Sequence, residues 1–291
     1  VSALTPAQVA QFHEDGVLLA EGVLTDADLQ PVIDGYTRWL SEKARALQIP
    51  DLAENLPWER RFARLREQNV EIEKGMDVMH ARLPEFFQFL RCENLLNAVG
   101  QILGTNELTI NPIQHIRGKV SDSAESSYFN VPWHQDAGVT WEEADETPIL
   151  TCWIPLVDAT IENGCMEILP GVWKQGVLRH IAGGGGATID PKVLPDTAPI
   201  RGAIKRGGIV FMHRGTPHRS TPNRTDTVRW SLDLRYQPSG MPTGRPFHPE
   251  FVARSEKDPE SVCTDYTAWS RRWEEALAAP MPERGAHRIS M

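Results

Sequence analysis

Trp133-His134-Gln135-Asp136 places an imidazole and a carboxylate two residues apart. At an extended strand end that spacing turns both side chains to one side, where they can share a metal ion. By itself the pattern is weak, because His-x-Asp also occurs in polar surface loops. A second cluster, His218-Arg219-Ser220, falls well downstream on an expected strand, with Arg229 eleven residues after His218. Two imidazoles and one carboxylate on one face of a metal leave three coordination positions open, enough for a bidentate 2-oxo acid and O2. The far carboxylate of such an acid needs a cation in a dry pocket. Arg229 suits that task, since a planar guanidinium pairs bidentately with a carboxylate and stays charged when buried. Ser220 offers a further hydrogen bond to the same group. His213, five residues before His218 and followed by Arg214, reads as a strand histidine, not a ligand.

These groups need a rigid frame, and the pattern along the chain supplies one. Residues 1 to about 105 read as mainly helical. Thr5-Pro6 is an N-cap followed by proline at the first helical position, and Asp15-Gly16 ends that helix. A second helix starts at Thr25 or Asp26 and carries Leu29, Val32, Ile33, Tyr36, Trp39 and Leu40 at helical spacing. Another is expected from about Leu83 to Leu103. From about residue 107 the pattern changes to short β-rich runs at 107–117, 147–157, 165–169, 200–204, 208–213 and 227–237, broken by Gly, Pro, Asn and Asp. That succession predicts an α+β fold with a jelly-roll core, a double-stranded β-helix, at about 106–240. The helices pack around it in a single domain spanning 1–291, and the tail from 241 adds a short helix around Tyr266 to Leu277. Gly183 to Gly186 read as a flexible loop between strands; with no following Lys-Ser/Thr they are a poor phosphate cradle.

Composition narrows the function further. The 291 residues are 41% hydrophobic, enough for a full core, and the formal charge of -9 argues against a nucleic-acid partner. The four cysteines, Cys92, Cys152, Cys165 and Cys263, are scattered without a CxxC pair, so buried thiols are expected rather than disulfides or a zinc site. There is no basic segment leading into an apolar run at the N-terminus and no stretch of about 18 apolar residues, so the expectation is a cytoplasmic protein with no membrane partner. The segment Trp58 to Arg66 is basic and aromatic. It reads either as the lining of an anion site or as a solvated helix face with two buried aromatics.

The ordered motifs resemble the phytanoyl-CoA dioxygenase family of iron(II)/2-oxoglutarate oxygenases. The match covers Leu4-Thr5-Pro6 to Asp15-Gly16-Val17 and, more specifically, about 111 to 236. It runs through Trp133 to Asp136, Trp153, the turn Asn163-Gly164-Cys165-Met166-Glu167-Ile168-Leu169-Pro170-Gly171, then Gly207 to Phe211, His218, Ser220 and Arg229. The resemblance implies that His134, Asp136 and His218 hold Fe(II), and that Arg229 with Ser220 clamps 2-oxoglutarate. Trp153 would wall the cosubstrate pocket, with an ordinary core tryptophan as the alternative. Gln114 matches a glutamine near 2-oxoglutarate, in competition with Arg117 and Lys119. The family's Gly-Asp before the last metal strand is Gly207-Gly208 here, a change that does not touch the metal site. Because Asp136 is not replaced by Ala or Gly, the halogenating variant of this chemistry is disfavoured.

The implied reaction consumes O2 and 2-oxoglutarate, releases succinate and CO2, and oxidises a C–H bond of a small molecule. Hydroxylation is the first choice; desaturation, epoxidation, cyclisation and epimerisation share its start. A non-catalytic jelly-roll binding protein would be favoured by a missing ligand or arginine, and none is missing. A metal-dependent hydrolase leaves Arg229 and Ser220 unexplained and needs a general base at the metal-bound water. Substrate contacts are expected from the 45–80 region, the 118–131 and 172–199 loops and the tail, with Trp58, Phe62, Trp141 and Trp173 as candidates.

Overall fold

Helix α1 (Pro6–Asp15) begins at a capping box in which Thr5 and Gln8 satisfy each other's backbone N–H groups, and it ends at Gly16, whose φ of 69° suits the left-handed cap. Helix α2 (Asp26–Ala46) repeats the device with Thr25 and Asp28. The computed structural model describes residues 4–121, 130–183, 186–285 and 287–289. The remaining helices are α3 (Trp58–Gln68), α4 (Val78–Ala81), α5 (Pro84–Phe89), α6 (Glu93–Leu103) and, after all the strands, α7 (Tyr266–Ala278). The single helix expected over 83–103 is thus two, because the chain turns at Leu90 to Cys92.

The strands are β1 (Val17–Ala20), β2 (Leu108–Ile110), β3 (His115–Lys119), β4 (Leu150–Pro155), β5 (Met166–Ile168) and β6 (His180–Gly183). They continue with β7 (Gly186–Ile189), β8 (Ile200–Arg201), β9 (Ile209–His213), β10 (His218–Ser220), β11 (Arg229–Pro238) and β12 (Phe251–Arg254). All pairings are antiparallel. The large sheet runs β1-β9-β4-β11-β2-β12, with β3 also on β11, and the small one runs β10-β5-β8. The expected run over 107–117 is therefore split into β2 and β3, which pair with successive stretches of β11. Of the glycine-rich segment, Gly183 and Gly186 pair with each other at the end of the β6–β7 hairpin, and Gly184 and Gly185 lie outside the described residues.

Strand β11 shows how the two faces are assigned. Its even residues Trp230, Leu232, Leu234 and Tyr236 are fully buried in the cluster that takes in the helices from α1 to α7. Its odd residues Arg229, Ser231, Asp233 and Arg235 turn to the opposite face, as the two-residue period of a strand requires. Register carries the division sideways: Arg229, Ser231 and Asp233 sit opposite Lys119, Arg117 and His115, and Asp233 and Arg235 sit opposite Trp153 and Thr151. One sheet face is therefore a polar floor and the other a helix-covered core. Beside the floor a second apolar cluster joins Trp153, Val210 and Met212 of the large sheet to Met166 and Ile168 of the small one, so the sheets face each other.

On the helix side, Trp58 stacks on Trp230 with ring centroids 4.2 Å apart, and Phe62 lies 5.1 Å from the same ring. These two aromatics are core, not substrate lining. The arginines beside them are satisfied: Arg61 is buried and bonds to Leu52 O and Ser41 Oγ, while Arg60, Arg64 and Arg66 pair with Asp226, Asp51 and Glu73. The structural alternative for the basic segment therefore accounts for it. A Cβ on Gly118 would approach Trp230 to 2.8 Å and Phe62 to 3.2 Å. Gly118→Val is expected to cost about 1–3 kcal/mol by overpacking, read as a lower urea midpoint with unchanged slope. The four cysteines are free thiols, two buried and two half-buried. Among the described residues no helix is long and apolar enough to cross a membrane.

Candidate active site

His134 and His218 are brought together by their backbones. Each donates its N–H to the other's carbonyl, at 3.1 and 3.0 Å, forming an antiparallel bridge that stands the two imidazoles side by side with centroids 4.2 Å apart. Alternation then brings Asp136 to the same side, while Gln135 points away and is fixed there by bonds to Gly176 O, Gly215 O and Leu178 N. His134, Asp136 and His218 offer ligand atoms that all lie within 4.8 Å of one another.

The proton positions favour a metal. Nδ1 of His134 lies 2.9 Å from Pro132 O and Nδ1 of His218 lies 3.0 Å from Thr216 O. A carbonyl only accepts, so each Nδ1 carries a hydrogen, and Nε2 is the nitrogen of each ring placed to bond a metal. Burial, with His218 adding, pushes His134 down to about 4, so it is a neutral imidazole near pH 7. Burial alone would raise the Asp136 carboxyl, but the Arg235 guanidinium and the neighbouring imidazoles hold it well below the usual carboxylate range. Arg235 donates to Asp136 Oδ1 at 2.6 Å and to Asp233 Oδ2 at 3.2 Å, and Thr151 donates to Asp136 Oδ2.

Beside this cluster is a cavity of about 420 Å³ lined by both sheets. Arg229, Ser220 and Trp153 all border it, as do Arg117 and Lys119. Arg229 is buried, donates from Nη1 to Ser231 Oγ at 2.6 Å, and has no partner for Nε among the described residues. Burial lowers it to about 10, which leaves it a cation near pH 7. Its guanidinium carbon lies 5.1 Å from the Trp153 ring centroid, so that ring is a cavity wall. Lys119, 1% exposed, donates to Ser220 Oγ at 2.9 Å.

Other expectations are displaced. Gln114 is fully buried and bonds to Asn111 O, but it does not border the cavity. His115, Arg117 and Lys119 share one face of β3 and border the cavity. Trp173 packs on His213 with centroids 4.5 Å apart, and Trp141 bonds to Gly285 O; neither lines this cavity. His213 is a half-buried strand residue whose ring accepts from Gly215 N. Residues 122–129 of the 118–131 loop lie outside the described residues.

The family profile described as phytanoyl-CoA dioxygenase (PhyH) matches residues 12–231. This chain belongs to the phytanoyl-CoA dioxygenase family. By class it is a 2-oxoglutarate-dependent, non-haem iron dioxygenase. The chain is 24% identical over 271 residues to phytanoyl-CoA dioxygenase domain-containing protein 1 of Bos taurus, covering 79% of this chain and 88% of that one. Among solved structures it shares the fold of the non-haem monooxygenase ThoJ in its apo form, with TM-score 0.63, 18% identity and coverage of 93% and 94%. It also shares the fold of the epimerase SnoN in complex with Fe3+, alpha ketoglutarate and nogalamycin RO, with TM-score 0.52, 20% identity and coverage of 82% and 86%.

Two positions of functional weight escape motif reading. Arg235 and Thr151 hold the Asp136 carboxylate, yet neither stands in a recognisable motif. The alternation Arg229-Trp-Ser-Leu-Asp-Leu-Arg235 carried the first of them, because it puts Arg235 on the same strand face as Arg229.

Proposed function

We propose that His134, Asp136 and His218 hold iron(II), that Arg229, Ser220 and Lys119 receive the far carboxylate of 2-oxoglutarate, and that the enzyme hydroxylates a C–H bond of a small organic molecule. The observation that carries this reading is one cavity bordered by two available Nε2 atoms and an ionised carboxylate within 4.8 Å, and by a buried guanidinium with an unsatisfied N–H. The donor set fits iron(II), since two imidazoles and a carboxylate leave positions open for a chelating oxo acid. The two facing antiparallel sheets support a jelly-roll core, and the continuous buried cluster from Leu4 to Trp273 supports a single domain.

When bound, iron(II) with 2-oxoglutarate supplies activation of O2 for C–H oxidation, with release of succinate and CO2. The chain's own residues do the rest. Carbonyls of Pro132 and Thr216 fix the imidazole orientations, Arg235 and Thr151 orient Asp136, and Arg229 fixes the cosubstrate's direction. Trp153 and Met166 keep water from the cavity wall. Hydroxylation is the outcome requiring no further group from the protein; a monooxygenase and an epimerase share the fold, so the placement of the substrate carbon decides it.

Anaerobic titration of the metal-free protein with iron(II) and then 2-oxoglutarate is expected to give the weak visible charge-transfer band of a chelated oxo acid. His134→Ala is expected to abolish both the band and iron-dependent turnover. A band of unchanged intensity in that variant would remove His134 from the ligand set.

A further inference from the structure

The charges around the cavity do not balance. Among the described residues five permanent cations border it against three carboxylates, and iron(II) with doubly ionised 2-oxoglutarate adds equal and opposite charge. Most of the cations have an assignment. Arg235 pairs with Asp136 and Asp233, Arg117 acts on Asp77, and Lys119 and Arg229 face the cosubstrate.

Arg245 has none. It borders the cavity, takes no part in an ion pair among the described residues, and its strongest charged neighbour is another cation, Arg235. Its place is fixed. Nε donates to Val139 O at 2.6 Å, and its own N–H bonds to Thr243 Oγ1. The preceding Gly244, at φ 71°, lies so close to Thr140 and Trp141 that a Cβ would come within 2.5 Å of the Thr140 side chain. With Nε committed, the terminal nitrogens are left for a ligand. His248, one turn along the same loop, and His287, from the C-terminal segment, border the cavity beside it. Burial, with Arg245 adding, drives His248 down to about 4, and His287, an exposed residue at the cavity edge, is shifted in the same direction. The His248 imidazole is neutral near pH 7 and able to donate one hydrogen bond, and among the described residues the carboxylates that border the cavity are Asp77, Asp136 and Asp233, none of them in an ion pair with Arg245.

We propose that Arg245, flanked by His248 and His287, binds an anionic head group of the substrate, a carboxylate or a phosphate, and so places the carbon to be oxidised between itself and His134, Asp136 and His218. A fork-shaped guanidinium held on a fixed turn is suited to a planar or tetrahedral oxyanion. The cavity also has apolar lining for the rest of such a molecule, including Val139, Ile113 and Met79. The cavity of about 420 Å³ must also hold the cosubstrate, which favours a small acid over a bulky one. This proposal rests on the oxygenase reading of the same site.

The test uses the full chain loaded anaerobically with iron(II) and saturating 2-oxoglutarate. Small aliphatic carboxylic acids and phosphate monoesters are titrated calorimetrically, each beside its uncharged amide or alcohol. At least one charged probe is expected to bind about tenfold or more tightly than its uncharged counterpart, the discrimination typical of a charge-assisted hydrogen bond. Arg245→Gln is expected to erase that preference and Arg245→Lys to keep part of it, with the visible band unchanged in both. Preference confined to acids or to monoesters identifies the head group. Equal binding of charged and uncharged probes, no binding of any charged probe, or a preference that survives Arg245→Gln overturns the proposal. If the band fails to form in the wild type, the oxygenase reading fails, whereas an Arg245-dependent preference would still be read by the titration.

Discussion

Arg235→Met is expected to destabilise the metal-free protein by about 3–5 kcal/mol, because it strands a buried carboxylate that was paired. Arg235 and Asp136 are 4% and 3% exposed in their side chains, so solvent can replace little of what the variant removes. The stabilisation has a definite pH dependence. Arg235 holds the Asp136 carboxyl low in the folded protein, so its contribution is present above the unfolded carboxyl pKa of about 3.9 and is lost as pH falls through the lower folded value. The gap between wild type and variant should therefore be widest near neutral pH and close in acid. Two effects then compete for the metal. Removing a cation beside the ligand set favours a second cation electrostatically, whereas a carboxyl without Arg235 takes up a proton that metal binding must expel and loses one of the two bonds that aim it. Loss of such an outer partner typically weakens metal binding about 10–100-fold, which sets the expected direction. His134, at about 4, does not itself require deprotonation at pH 6. Nickel(II) titrations at pH 6 and pH 8 should then show the larger deficit at pH 6; tighter binding by the variant would make Arg235 an electrostatic brake on metal uptake instead.

The metal-centred half of this site was legible in the sequence because its geometry is local. His-x-Asp is turned to one side by strand alternation, and the distances from His218 to Ser220 and Arg229 along the chain survive into strands β10 and β11. Helices α1 and α2 were equally legible, since Thr5, Gln8, Thr25 and Asp28 are caps whose partners lie three residues away. What was lost depends on neighbours distant in sequence. Gln114 was expected at the cosubstrate, yet where β3 begins after the interruption at Asn111 to Gln114 determines which parity faces the cavity, and it selects Lys119 and Arg117. Trp58 and Phe62 carry no sign that Trp230 waits on the far side of a sheet for them. The tail was expected near the substrate, but no motif singles out Arg245, His248 or His287 in it, and only its return past Gly138 and Trp141 brings it to the cavity. Core and ligand set are written in periodicity and short spacing, whereas the proposed substrate wall is assembled from loops whose ends meet late.

Arg229→Met should separate function from stability by moving them in opposite directions. The folded protein holds this guanidinium at 4% exposure with one side-chain acceptor, Ser231 Oγ, and with Nε unsatisfied. No carboxylate of the chain pairs with it among the described residues, and burial alone accounts for most of its lowered pKa. Replacing such a charge with an apolar side chain of similar length relieves desolvation, so metal-free stability should hold or rise, within the range of about 1–4 kcal/mol seen when buried ionic groups give way to packed apolar ones. The bound anion gives the opposite sign. Removing one side of a buried, hydrogen-bonded charge pair costs about 2–5 kcal/mol, or roughly 30-fold to several thousand-fold in 2-oxoglutarate affinity. Lys119 stays close by, tied to Ser220 at 2.9 Å, and places the effect below complete loss. Arg229→Lys should recover only part of the affinity, because an ammonium supplies a point charge without the planar fork. Iron(II) affinity should remain within about threefold of wild type, since Arg229 touches none of the three ligands and a change that small is under about 0.7 kcal/mol. An arginine with a purely structural role would lose stability and 2-oxoglutarate binding together on replacement; one placed for an anion keeps or gains the first and loses the second.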